Sequence, residues 1–290
     1  MAQQDTEVFV RLERFYDAVP RPDARTEQFG GLVLFVREGP GWPFYARPRP
    51  GAETPSAADV TAVRQRQLEL GVPEAFEWVH ETTPDLLAVT RSAGLDVLLA
   101  PLMVLEAAAL LPDLPVADAT IRLLDPASDS FAADLAASRA VAQLGFGMPA
   151  AAAPTPTIND TLVVEVAGPA ERDALPAPEE ALVEASRQKT AAGRIATAVV
   201  ESAAEGILAT GVYQLVGDIA EIAGVATLPA VRRRGYASQL TATLARQAVA
   251  DGVGTVFLSA GDDDVARLYS RVGFRRVGTA CIAEPAPAPL

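Results

Sequence analysis

The sequence predicts an α/β protein of two related units, each a mixed, mostly antiparallel sheet flanked by helices. Three observations carry this. Helix-length segments alternate with short apolar, β-branched runs along the chain. The runs at 195–201, 207–215 and 218–228 are separated only by turns and read as an antiparallel meander. A strand–helix–glycine–strand pattern also occurs twice: Val79 and Leu258, Gly94 and Gly273, and Leu95 and Phe274 are each 179 positions apart. The repeat predicts a first unit over 1–114 and a second over 115–290.

In the first unit, the pattern predicts a helix at 6–18 and two strands, 32–37 and 44–47, joined across a Gly-Pro-Gly turn. A Pro-rich loop at 47–55 leads to a helix at 57–70, ended by Gly71. A strand at 76–80, a helix at 84–93 stopped by Gly94, and strands at 95–100 and 102–105 follow. The second unit begins with a strand at 119–124 and a helix at 128–143. An Ala/Pro-rich loop at 148–157, a strand at 161–166 and a helix at 179–190 precede the meander. A helix at 235–250, a strand at 255–260, a helix at 263–272, a strand at 276–283 and a frayed tail at 285–290 complete it.

Composition bounds the chemistry. Half of the 290 residues are hydrophobic, so a sizeable core needs no staples, and no apolar run is long enough to span a bilayer. The opening Met-Ala-Gln-Gln-Asp-Thr-Glu lacks the basic and apolar regions of a secretory signal, and the single Cys281 has no internal disulfide partner. The expectation is a soluble cytoplasmic protein, monomer or homodimer, with Cys281 a small hydrophobe in the last strand. One histidine, His80, and no Cys/His cluster argue against a metal site. The net charge of −13 argues against nucleic-acid or anionic-membrane binding.

Against that acidic background stands the run Val225 to Ala237, Val-Ala-Thr-Leu-Pro-Ala-Val-Arg-Arg-Arg-Gly-Tyr-Ala. A strand stops at Pro229, three arginines follow, and Gly235 opens a helix. A helix N-terminus offers free amides and partial positive charge, and the arginines add full charges, so the run reads as a pyrophosphate cradle. The first unit has Arg-Pro-Arg-Pro-Gly in the corresponding stretch and no cradle. No Gly-Lys-Ser/Thr follows the glycine, which argues against a P-loop nucleotide enzyme. Glu221 lies in the strand leading to the cradle among Ile219, Ala220, Ile222 and Ala223. An acid there faces either a cleft, as a general base, or a salt bridge.

Arg232-x-x-Gly235-x-Ala237 resembles the acyl-CoA loop of the GCN5-related N-acetyltransferases. Asp263 to Phe274, with Leu268-Tyr269 and Gly273-Phe274, resembles the same family's second signature, except that Asp263 stands where Asn is usual. The resemblance covers 115–284 and extends to tandem members, with the first unit a degenerate copy. It implies acetyl-CoA as acyl donor, a primary amine as acceptor and no metal. It implies that backbone at Ala226, Thr227 and Leu228 faces the pantetheine and thioester, that Arg232, Arg233, Arg234, Gly235, Tyr236 and Ala237 hold the pyrophosphate, and that Asp263 contacts the cofactor. Glu221 is then the base and Tyr269 the acid beside the departing sulfur. An alternative is a protein that binds acyl-CoA without turning it over.

Overall fold

The computed structural model describes residues 2–112, 115–116, 118–147 and 166–286. The expected loop at 148–157, the expected strand at 161–166 up to residue 165, and residues 287–290 of the expected tail lie outside the described residues. Among the described residues, no helix is long and apolar enough to cross a membrane.

Eleven strands and eight α-helices are assigned among these residues. The first half holds α1 (Ala2–Ala18), β1 (Ala24–Phe29), β2 (Leu32–Arg37), β3 (Arg47–Pro48), α2 (Ala57–Leu70), β4 (Phe76–Val79), α3 (Leu86–Ser92) and β5 (Leu95–Leu105). Next come β6 (Thr120–Leu123), α4 (Phe131–Gly147), α5 (Pro169–Asp173), α6 (Glu180–Ala191), β7 (Ile195–Ser202), β8 (Gly206–Val216) and β9 (Ile219–Thr227). The chain continues with α7 (Tyr236–Ala250), β10 (Thr255–Ser259), α8 (Asp263–Val272) and β11 (Phe274–Pro285).

The strands form a three-stranded sheet, β1-β2-β3, and an eight-stranded sheet, β4-β11-β5-β10-β9-β8-β7-β6. All pairs in the larger sheet are antiparallel except β9–β10. A parallel bridge between Ala46 and Phe76 links the two sheets. The meander appears as expected, as β7-β8-β9. The repeat appears as two strand–helix–strand units, β4–α3–β5 and β10–α8–β11, but their last strands are exchanged: β5 pairs with β10 and β11, and β11 with β4 and β5. The division at 114/115 is therefore not a division of the sheet. Backbone donors on β10 find their partners on a strand from the first half, because an open edge inside a buried sheet would be left unpaired.

Three details differ from the sequence reading. β5 is one strand through Pro101, because Pro101 lies level with the end of β10, where its missing N–H costs no ladder bond and its carbonyl accepts from Ala260 N–H at 2.9 Å. The 32–37 strand makes its tight hairpin with β1, and of the expected strand at 44–47 only Arg47 joins its other edge, opposite Val33. β1, Arg-Thr-Glu-Gln in its middle, is a half-exposed edge strand and carries no apolar run to betray it.

Three cores hold the sheet. One packs α4, α7 and α8 on the C-terminal strands through residues such as Phe131, Leu240, Leu244 and Val272. A second, under α2 and α3, joins Val60, Val63, Phe76, Trp78 and Leu86 to Cys281 and Ala283 of β11, so Cys281 is buried as expected. In the third, Leu12, Phe15 and Tyr16 of α1 lie on Leu102, Ile219 and Phe257 across the exchanged strands. Phe15 and Tyr16 meet the Phe257 ring edge-on at 5.1 and 5.5 Å, the preferred aromatic geometry.

Candidate active site

β9 and β10 pair only through Ile219–Thr255, Ala220–Val256 and Glu221–Phe257. Beyond Glu221 β9 runs on to Thr227 without β10, so the two parallel strands part and, among the described residues, one edge of β9 is left open. On its other edge β9 keeps its ladder with β8, through a bulge between Ala223 and Ala226. Gly224, at φ +61°, supplies the left-handed residue that such a bulge needs.

The phase of that ladder decides which backbone groups are free. Leu228 N–H donates to Leu208 carbonyl at 3.0 Å. Alternation along the strand therefore turns Ala226 and Leu228 toward β8 and Thr227 toward the open edge. Of the three positions expected to face the thioester, only Thr227 has its N–H directed that way, and Leu228 is fully buried.

The cradle lies at the end of this opening. Pro229–Val231 makes a short 3-10 turn, Arg232 is extended, and Arg233 has φ +69°, a strained conformation for a side chain of this size. Gly235 follows at φ +81° and is the N-cap of α7, with no side chain capping the helix. A Cβ at Gly235 would meet nothing within 4 Å, so the glycine is required by its backbone angle and not by crowding. Arg233 and Arg234 are exposed. Arg232 instead braces the scaffold: its Nη2 donates to Gly145 carbonyl at 2.9 Å, near the end of α4. That end comes so close to β9 that a Cβ at Gly145 would sit 2.8 Å from the Ala226 Cβ.

A cavity of about 650 Å³ joins these parts. Its walls include Ala226, Thr227, Arg232 to Ala237 and Tyr269, which brings nine of the sequence-predicted residues together. Tyr269 is buried, its ring edge-on to Phe274, and burial pushes its hydroxyl up to about 12. Asp263 does not line the cavity. It sits in the first turn of α8, 3.3 Å from Arg276 Nη1, while Asp262 caps the helix by accepting from Val265 N–H at 2.8 Å. Asp264 lines the cavity instead, with Arg271 as a further cation that no sequence motif marked.

Glu221 is also outside this cavity. It stands at the last paired position, where β9 and β10 part, and Tyr16 of α1 donates to its Oε1 at 3.2 Å. Arg47 stacks on the Tyr16 ring at 4.0 Å and forms an ion pair with Glu77. Burial and the neighbouring Glu77 raise Glu221 to about 8, against the opposing pull of Arg47 and the Tyr16 hydrogen bond. Sequence reasoning missed Tyr16 and Arg47, since both come from distant parts of the chain and belong to no local pattern.

Residues 164–274 match the model of the acetyltransferase (GNAT) family. That segment holds the meander, the cradle, α7, β10 and α8, and β5 of the first half completes its sheet. Solved structures place the whole chain in the same fold. A GCN5-related N-acetyltransferase from Kribbella flavida has TM-score 0.67 at 22% identity, over 97% of this chain and 96% of that one. A GCN5-related N-acetyltransferase from Sphaerobacter thermophilus has TM-score 0.51 at 14% identity, covering 89% and 82%. A tandem GNAT protein from the clavulanic acid biosynthesis pathway has TM-score 0.50 at 14% identity, covering 89% and 79%. No curated protein matches the chain.

Proposed function

We propose that this protein transfers an acetyl group from acetyl-CoA to a primary amine by direct attack, with one cofactor site per chain. The observation that carries the reading is a single cavity in which an open strand edge, an uncapped helix start, exposed arginines and a buried phenol meet. The uncapped amides of α7 and the guanidinium groups of Arg233 and Arg234 suit the pyrophosphate. The open edge at Thr227 suits the pantetheine arm, and its N–H suits the thioester oxygen as that oxygen gains charge.

A primary amine with a pKa near 10.4 is protonated at neutral pH, and freeing it costs about 4.6 kcal/mol at pH 7. Glu221 takes that proton through water. The amine nitrogen then attacks the thioester carbon, and as the C–S bond breaks Tyr269, protonated across the neutral range, gives its proton to the departing sulfur. The second amine proton leaves the new amide through water and restores the phenol, so the products are the N-acetylated amine and free CoA thiol.

Thiol release from acetyl-CoA over a panel of amines tests the reading, with Tyr269→Phe as control. Turnover that falls in Tyr269→Phe supports it. Tight CoA binding with no turnover on any amine favours a non-catalytic acyl-CoA carrier.

A further inference from the structure

A second cavity adjoins the first and bears on the acceptor. α4 turns Ala136, Arg139, Ala140 and Gln143 toward a space of about 610 Å³, a size typical of small-molecule sites. The spacing puts them on one helix face, while Phe131, Leu135, Ser138 and Val141 are buried on another. The rigid Leu175-Pro-Ala-Pro-Glu179 run forms the opposite wall, and Trp42 of the first half lines it as well. Phe146 lines both this space and the cofactor cavity. Trp42 and Phe146 are 72% and 64% exposed, two large apolar surfaces that no protein segment covers among the described residues.

Arg139 is the unusual member of this wall. It is half-buried, and burial is the sole influence on its pKa, which it lowers. Among the described residues no carboxylate pairs with it. Arg122, on the neighbouring strand β6, is by contrast held by both Asp134 and Glu201. Glu179 lines the same space but forms no ion pair with Arg139. A half-buried guanidinium with no counterion among the described residues leaves its donor fork open to a ligand, and a bidentate carboxylate is the partner its geometry suits best.

We infer that this second cavity is the acceptor subsite and takes amines that carry both an apolar body and a carboxylate, the carboxylate on Arg139 and the body against Phe146 and Trp42. The inference rests on the acetyl-transfer reading for the role of the amine, but its ligand chemistry is testable without turnover. The substrates are matched pairs: phenylalanine against phenethylamine, and aminooctanoate against octylamine. The wild-type protein should prefer the acid in at least one pair by about tenfold or more in kcat/KM, as a charge-assisted contact gives. Arg139→Gln should abolish that preference through KM, with acetyl-CoA affinity unchanged. Trp42→Ala should weaken both members of each pair alike. Equal use of acid and amine in both pairs, or a preference that survives Arg139→Gln, overturns the inference.

If no amine is turned over, the transfer reading fails separately, and binding decides the ligand class. Calorimetry on the CoA-loaded protein should then give tighter binding of N-acetylphenylalanine than of N-acetylphenethylamine in the wild type, and equal binding in Arg139→Gln. Equal or absent binding in the wild type overturns the inference.

Discussion

Two helices stand at the same point of the internal repeat and begin in opposite ways. α2 precedes β4 and closes its own first turn. Ser56 Oγ accepts from Asp59 N–H at 3.2 Å, and the Asp59 carboxylate accepts from Ser56 N–H at 2.9 Å and from Gly31 N–H at 3.2 Å. α7 precedes β10 and starts at Gly235 with no side-chain cap, directly after three arginines. In α2 the anion at the positive helix end belongs to the protein; at α7 no side chain takes that position, which suits the proposed pyrophosphate. On the proposed reading, equivalent topology offers an anion site only where the sequence declines to cap its own helix. This is the physical reason to expect a single cofactor site in a chain with two related units.

The most severe test of the two-unit comparison is deletion of residues before Pro115. That removes β4 and β5 and strips β10 and β11 of their central partner, so the fragment should fail to fold. A soluble fragment with native circular dichroism and full CoA affinity would show that the exchanged strand is dispensable. Within the competent unit, Tyr269→Phe should lower kcat by about 100-fold or more with little change in CoA affinity, the scale of a lost acid group. An unchanged kcat removes Tyr269 from the chemistry. Arg234→Glu should weaken CoA binding by about 10- to 100-fold, because it replaces a charge-assisted contact with repulsion. Unaltered calorimetric affinity would refute the cradle.

Glu221 links the units through Tyr16, and its titration can be read in stability as well as rate. The folded protein holds the Glu221 proton to a higher pH than the unfolded chain does, so the unfolded chain binds fewer protons between about 4.5 and 8, and stability falls as pH rises through that window. Glu221→Gln should flatten the slope in urea titrations and abolish a rise in wild-type activity toward about pH 8. Parallel stability slopes would mean that Glu221 is not buried against Tyr16 in solution. The smallest effect is expected at α2: Ser56→Ala should cost about 1 kcal/mol of stability and leave CoA affinity untouched. Altered CoA affinity would mean that α2 is not the closed counterpart of α7.

Much of this was legible in the chain. The Val225–Ala237 run and the Leu268-Tyr269…Gly273-Phe274 segment identified the cavity walls, because a cradle is built from consecutive residues whose spacing is local. Asp263 shows where local reading stops, since neighbouring positions in the first turn of a helix face different ways and Asp264 takes the cavity side. Leu228 shows the same for a strand. Its amide is used by β8, and only the phase of the ladder across the Gly224 bulge reveals that Thr227 carries the free group.

By itself, then, the sequence determined most of the helices, the meander, the strand–helix–glycine–strand repeat and the strand–turn–helix loop at 225–237, all of which depend on short-range periodicity and turn chemistry. Tertiary structure alone decided that the two units exchange their last strands, that Tyr16 and Arg47 reach Glu221 from the other half of the chain, and that Arg139 and Trp42 share a second cavity. Hydrogen-bond pairing between strands and burial between distant segments leave no periodic mark in either partner, so such choices become visible only when the whole sheet is assembled.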